Sequence, residues 1–174
     1  MLIKIVSGGQ TGVDVAALRA ARGLGIATGG WAPRGWATLD GPAPWLADYG
    51  LVEHALSGYA PRTEANVRDS DATLRLAADF LSPGEKLTIA MVDRHKKPHA
   101  DVVMVADRIH GGYRVTAIVV DGARRFDARS RDALVAWVRR YRVINVAGNS
   151  ERTAPGIGAA AEALLRDLFE EARR

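Results

Sequence analysis

Ser7-Gly8-Gly9-Gln10-Thr11-Gly12-Val13-Asp14 is the run of residues best placed to do chemistry. It follows the apolar stretch Leu2–Val6 and precedes a segment with Val13, Ala16, Ala17, Ala20, Ala21 and Leu24 on one helical face. A strand, a glycine turn and a helix N-terminus together form an anion site. The first-turn N–H groups have no partner inside the helix, and the helix dipole adds roughly half a positive charge there. Glycine lets a phosphate or another oxyanion come close to the backbone. The pattern is neither G-x-G-x-x-G nor a P-loop, because no lysine follows the glycines. The same residues also read as a tight turn in which Thr11 caps the helix and Asp14 completes something close to a capping box.

A second polar, glycine-bearing run, Gly148-Asn149-Ser150-Glu151-Arg152-Thr153, follows the strand-like stretch Arg142–Ala147. Pro155 then suits a first helical turn. If the strands before these two runs are neighbours, two helix N-termini face one crevice. Each end contributes about 0.3–1 kcal/mol to holding an anion, up to about 2 when partly buried. Arg62, Asn66 and Asp69 recur at helical spacing, and form either a site or a solvated face with its own hydrogen bonds. Residues 29–45, rich in Gly, Pro and Trp, read as one long loop; loops of that length are often functional or mobile. Trp45 reads as packing that loop onto the body, and Arg34 could reach a bound anion from it.

The elements that must position these groups follow from composition and periodicity. The 174 residues fit one unit, 1–174, with a substantial core. Hydrophobic residues make up 48% and charged residues 25%, an ordinary globular balance. The net charge of +4 favours acidic ligands, but the basic residues are scattered, so a nucleic-acid footprint is not expected. There are no cysteines, which excludes disulfides, thiolate chemistry and Cys-ligated zinc. The four histidines lack metal-motif spacing, and Pro98 separates His95 from His99, so no metal site is expected. No apolar run is long enough to span a bilayer, and the strand-like start leaves no room for a signal peptide, so the expected compartment is the cytoplasm.

Strand-like segments lie at 2–6, 25–28, 72–77, 101–106, 113–120 and 142–147. Helical segments follow 13, 61, 84, 130 and 155. Ser130 is a candidate cap for the fourth of these helices. This alternation predicts an α/β fold: a Rossmann-like, doubly wound, mostly parallel sheet with helices on both faces. The pair at 101–120, joined across Gly111-Gly112, reads as a hairpin added to it. Ligands of such sheets sit at the carboxyl ends of the strands, at a topological switch point.

Three blocks combine into a resemblance: Ile5–Asp14, Arg62–Asp71, and Asn145–Gly148 with Ala154–Ile157. Together with Gly29–Gly35 they resemble the molybdenum carrier family of the SLOG superfamily. That superfamily also includes Smf-type DNA-processing proteins and lysine-decarboxylase-like, cytokinin-activating phosphoribohydrolases. The likeness runs from Leu2 to the last helix. It implies a homo-oligomer that holds the molybdenum cofactor (molybdopterin) or molybdate without catalysis, with a molybdoenzyme as acceptor. Carried over by position, it implies ligand contacts at Gly8, Gly9, Gln10, Thr11 and Gly12, then Arg34 and Gly35. Thr63, Glu64 and Asn66 follow, and Gly148, Pro155 and Gly156 close the set. Gly9→Val is expected to block the anion at little expense to the fold.

Two features depart from the family. Its G-G-T loop is replaced by Leu81–Thr88, where Glu85 brings a negative charge that would repel an oxyanion; and most of 101–120 looks like an addition to the family core. The alternative functions are a nucleotide-binding module and a nucleoside-monophosphate N-glycosidic hydrolase. As an enzyme it would use Glu64 and Asp14 as its carboxylates, since such chemistry needs a carboxylate near the ribose and an anion site for the phosphate.

Overall fold

The apolar runs at the two ends of the chain become neighbouring strands. In the computed structural model, which describes residues 2–125 and 129–174, β1 (Lys4–Val6) is followed by α1 (Val13–Gly23) and β2 (Ala27–Ala32). A small hairpin, β3 (Ala37–Thr38) and β4 (Gly41–Pro42), and β5 (Leu51–Glu53) come next. Then follow α2 (Tyr59–Arg68), β6 (Ala72–Ala77), α3 (Pro83–Arg94), β7 (His99–Ala106), β8 (Tyr113–Val120) and β9 (Ala123–Arg125). The chain finishes with α4 (Arg129–Arg139), β10 (Val143–Gly148) and α5 (Ile157–Arg173).

The main sheet has the order β5-β2-β1-β10-β6-β7-β8-β9. Its first six strands are parallel; β8 and β9 pair antiparallel at one edge. This is the Rossmann-like arrangement expected from the alternation of elements. β10 lies in the middle, with Ile144 opposite Ile5 on one side and Ala72 on the other. A parallel sheet covered on both faces needs continuous apolar strands, and every residue of β6 is buried. Helices α1, α4 and α5 pack together on one face, and α2 and α3 on the other, as right-handed crossovers in both directions require. Small residues of α1 (Ala16, Ala17, Ala20, Ala21) let α5 approach closely with Ile157, Ala161, Leu165 and Phe169. Among the described residues, no helix is long and apolar enough to cross a membrane.

Three expectations change. The segments 101–106 and 113–120 form the expected hairpin, β7 against β8, but β7 is not an addition to the sheet: it is also a parallel neighbour of β6, with Ala100, Val102 and Met104 in the core. Among the described residues only β8 and β9 extend the sheet antiparallel, and the β7–β8 turn spans 107–112. The segment 29–45 is not one loop. β2 runs to Ala32, two 3-10 turns cover Arg34–Trp36 and Pro44–Tyr49, and the β3–β4 hairpin lies between them. Asn66 holds β2 in place by accepting the Trp31 N–H (2.8 Å) and donating to the Trp31 carbonyl (3.0 Å). Finally, Ser130 lies within α4 rather than at its cap.

Candidate functional site

β1, β10 and β6 are adjacent and parallel, so the loops that follow them meet at one edge of the sheet. Strand order reverses direction here, which is where such sheets place ligands. A cleft of about 390 Å³ opens at this edge. Gln10 and Asp14 line it from the first loop and α1, Gly148, Asn149 and Arg152 from the last loop. Arg62 and Thr63 of α2, and Ser82, Gly84, Glu85 and Thr88 of α3, complete the wall.

The glycine loop wraps a carboxyl group of its own chain. Asp14, 3% exposed, accepts the N–H of Gln10 at Oδ2 (3.2 Å), and Arg62 Nη1 stands 3.6 Å from the same oxygen. Burial raises the Asp14 pKa, opposed first by Arg62 and then by the Gln10 and Gly8 N–H groups and the Ser7 hydroxyl. Thr11 does not cap α1. Gly12 holds the N-cap position at φ 87°, and the Thr11 hydroxyl is buried without a hydrogen-bond partner. The N–H of Val13 donates instead to the Asn149 carbonyl (3.1 Å), joining the first and last loops. The Gln10 side chain shapes the loop, accepting the N–H groups of Thr11 (2.9 Å) and Leu39 (3.0 Å).

The second helix end foreseen as an anion site is likewise engaged. Glu151 accepts the N–H of Gly156 (2.6 Å) and of Gly158 (2.8 Å), so the first turn of α5 carries a carboxylate from the loop before it. Pro155 and Gly156 are exposed and lie outside the cleft wall, whereas Gly148 is part of it. The helix start that meets the cleft is that of α3, entered through Ser82, Pro83 and Gly84. Asn149 fastens this turn. Its Oδ1 accepts the N–H groups of Ala78 (2.9 Å) and Asp79 (2.8 Å), and its Nδ2 donates to the Asp79 carbonyl (3.0 Å) and Ser82 Oγ (3.3 Å).

Glu85 behaves differently from its sequence expectation. It is 1% exposed, and burial pushes its pKa up to about 8; Arg75 opposes the shift, and Asp14, Asp101 and Asp79 reinforce it. At neutral pH the group is therefore mainly uncharged and does not present the repulsive charge expected of it. Arg75 gives its fork to Asp101, the residue opposite it on β7: Nε to Oδ1 at 2.8 Å and Nη2 to Oδ2 at 2.6 Å. Its remaining nitrogen, Nη1, stands 3.5 Å from Glu85 Oε2.

Of the other sequence candidates, Thr63 lines the cleft. Asn66 is committed to the backbone of Trp31. Glu64 points along α3, toward Arg94 (3.3 Å) and His95 (3.1 Å), away from the cleft wall. Arg34 is exposed in its 3-10 turn, and the Gly35 N–H donates to the carboxylate of Glu53. The polar stripe Arg62, Asn66, Asp69 divides: Arg62 serves the cleft, while Asp69 accepts the Trp31 indole N–H (2.9 Å). Sequence reasoning raised Arg62 as one of a polar stripe that forms either a site or a solvated face, and missed Glu85, Asn149 and Glu151 as groups that organise this edge. Only Glu151 carries a local signal, an acidic residue just ahead of a helix. Among the described residues, no cluster of three or more His, Asp or Glu forms a metal site.

A parallel sheet with its last strand inserted beside its first, and a polar cleft over that junction, defines a Rossmann-like protein with a small-molecule site at the switch point. The chain belongs to the circularly permutated YpsA SLOG family, whose model matches residues 5–169. Beside the match stands a crystal structure named "Putative molybdenum carrier protein", from Syntrophus aciditrophicus SB. It is 33% identical, with a TM-score of 0.74, over 99% of this chain and 96% of that one. An NAD+-bound imine reductase variant from Myxococcus stipitatus aligns at 12% identity and a TM-score of 0.35, over 97% of this chain and 61% of that one, and carries no argument. No curated protein matches.

Proposed function

We propose that this protein is a non-catalytic carrier that holds the molybdenum cofactor, or a similar phosphate-bearing pterin, in the cleft above β1, β10 and β6. The observation that carries this reading is the full-length likeness to the Syntrophus protein. The cleft supports it: Arg62 and Arg152 line it, and the start of α3 opens into it. With no cysteine in the chain, no protein thiolate can bind the metal, so the hold falls on the organic part and its phosphate. On this reading the protein self-associates and passes its cargo to a molybdoenzyme. The test is purification from a molybdate-supplied, cofactor-producing host, followed by assay of acid-released pterin and of molybdenum per chain. Near-stoichiometric amounts of both support a carrier; absence of both after incubation with a cofactor donor overturns it.

A second reading, nucleotide N-glycosidic hydrolysis, has one observation in its favour. Asp14, beside Arg62, and Glu85, beside Arg75, are two buried carboxyl groups of raised pKa that line the cleft. Release of free base from nucleoside monophosphates, lost in Glu85→Gln, would support it.

A further inference from the structure

We propose that Glu85 reads the ligand: it gives up its proton to solvent on binding and accepts a pair of N–H groups from the cyclic guanidine edge of a flat heterocycle, the edge that guanine and pterin share. The proposal rests on the reading that the cleft holds a phosphate-bearing ligand.

Four observations lead to it. Glu85 is one of the residues lining the cleft, yet its side chain is almost wholly buried. Its Oε2 has no hydrogen-bond partner. Arg75, a cation beside it, is held in a two-pronged bond to Asp101 and reaches Oε2 only at ion-pair distance. A buried acceptor left unpaired is unfavourable, so the site is complete only when something donates to it. Asp14, Asp79 and Asp101 also act on the carboxyl group, and all three are acidic. They select a ligand that presents N–H groups there rather than oxygens.

The rest of the cleft sets the shape of such a ligand. Leu39, Tyr59, Pro83 and Leu87 line it beside the polar groups, which suits a planar ring. Arg62 and Arg152 supply positive charge for an acidic tail. The ligand then has two poles, a donor edge at Glu85 and a phosphate at the arginines. Glu85 is the residue that distinguishes rings with a 2-amino group from those without one. A site built to hydrogen-bond a substrate N–H rejects the analogue that lacks it.

Two matched pairs of probes test this by calorimetry. Guanosine 5′-monophosphate is compared with inosine 5′-monophosphate, which lacks only the 2-amino group. A pterin phosphate is compared with the corresponding lumazine phosphate, which has a 2-oxo group in its place. The amino member of at least one pair is expected to bind roughly tenfold more tightly; which pair shows the preference identifies the source as nucleotide or pterin. In Glu85→Gln the preference is expected to collapse to within about twofold, while affinity for the member lacking the amino group is kept. A variant in which Glu85 matters only for the fold would lower both affinities together. Equal binding within both pairs, or a preference unchanged in Glu85→Gln, overturns the assignment of Glu85 alone. If none of the four probes binds, and inorganic phosphate does not bind either, the ligand reading of the cleft falls and this one with it.

Discussion

Arg62 reaches from α2 over the first loop to Asp14 at the start of α1, and the absence of a side chain at Gly8 is what admits it. A Cβ at Gly8 would collide with the Arg62 guanidinium. The arginine is thus held between a glycine and a buried carboxyl group at the mouth of the cleft, its side chain only 12% exposed.

Arg62→Met leaves Asp14 buried without its counter-charge. Removing one partner of a buried ion pair costs about 3–5 kcal/mol. Asp14 keeps its backbone donors and can take up a proton, so a loss of about 2–3 kcal/mol is expected. Asp14→Asn preserves shape and should cost about 1 kcal/mol. Urea unfolding at pH 7 measures both; equal losses would show that the charge of Asp14 is not what Arg62 supports.

Gly84 and Gly9 separate binding from folding. Nothing lies within 4 Å of a Cβ at Gly84, so Gly84→Val should fold normally and weaken ligand binding by roughly tenfold. At Gly9 the backbone is left-handed (φ 72°), and a Cβ would meet Leu46 Cδ1 at 2.6 Å. Gly9→Val is therefore expected to lose soluble protein, not ligand alone, which corrects the expectation from sequence. Expression yield and thermal midpoint decide between the two effects.

Glu85 makes stability depend on pH. The folded protein keeps the Glu85 proton up to about pH 8, whereas an ordinary glutamate loses it near 4.5, so between these the unfolded chain binds fewer protons. Stability then falls as pH rises through that window, by up to about 1.4 kcal/mol per unit, and levels off above it. Arg75 opposes the effect, and Asp14, Asp79 and Asp101 strengthen it. Glu85→Gln has no proton to lose. Its stability relative to the parent should climb from pH 5 to pH 8, and a constant difference in urea midpoint across that range would refute the shift.

Glu151 ties the last loop to α5. Glu151→Ala removes the acceptor for two N–H groups and should cost about 1–2 kcal/mol, in the range of a lost cap plus its dipole term. Faster hydrogen exchange at Gly156 and Gly158, with the rest of α5 unchanged, is the expected signature. Uniform loss of protection along the helix would mean that Glu151 supports more than its first turn.

The elements legible in the sequence were those whose pattern is local. The turn 7–12 between an apolar strand and an alanine-rich helix, the strand 143–148 and the apolar face of α5 all carry their period in neighbouring residues. The segment 29–45 was not legible, because its order comes from Asn66 and Glu53, distant in sequence, bonding the backbone of Trp31 and Gly35. Glu85 read as a repulsive charge because its type is visible in the sequence and its burial is not. The edge of the sheet that holds the cleft was legible, and so was Asp14 bonding back to its own turn; that Asn149 takes the first N–H of α1 and Glu151 those of α5 was not. Nothing in residue type says whether a helix end will face a ligand or its own chain.

β10 comes later in the chain than every other strand, yet it sits fourth in an eight-stranded sheet. Before it is synthesised, β1 and β6 have no hydrogen bonds between them, and each presents a bare edge. A nascent chain can therefore build two half-sheets but cannot join them. The joining step closes a loop of well over a hundred residues between Ile5 and Ile144, the kind of distant pairing that makes folding slow. During that interval the two open edges are templates for pairing with other chains. The strand that completes the cleft is thus also the one that ends the protein's exposure to aggregation, and substitutions along 143–148 should lower yield through the rate of folding as well as through stability.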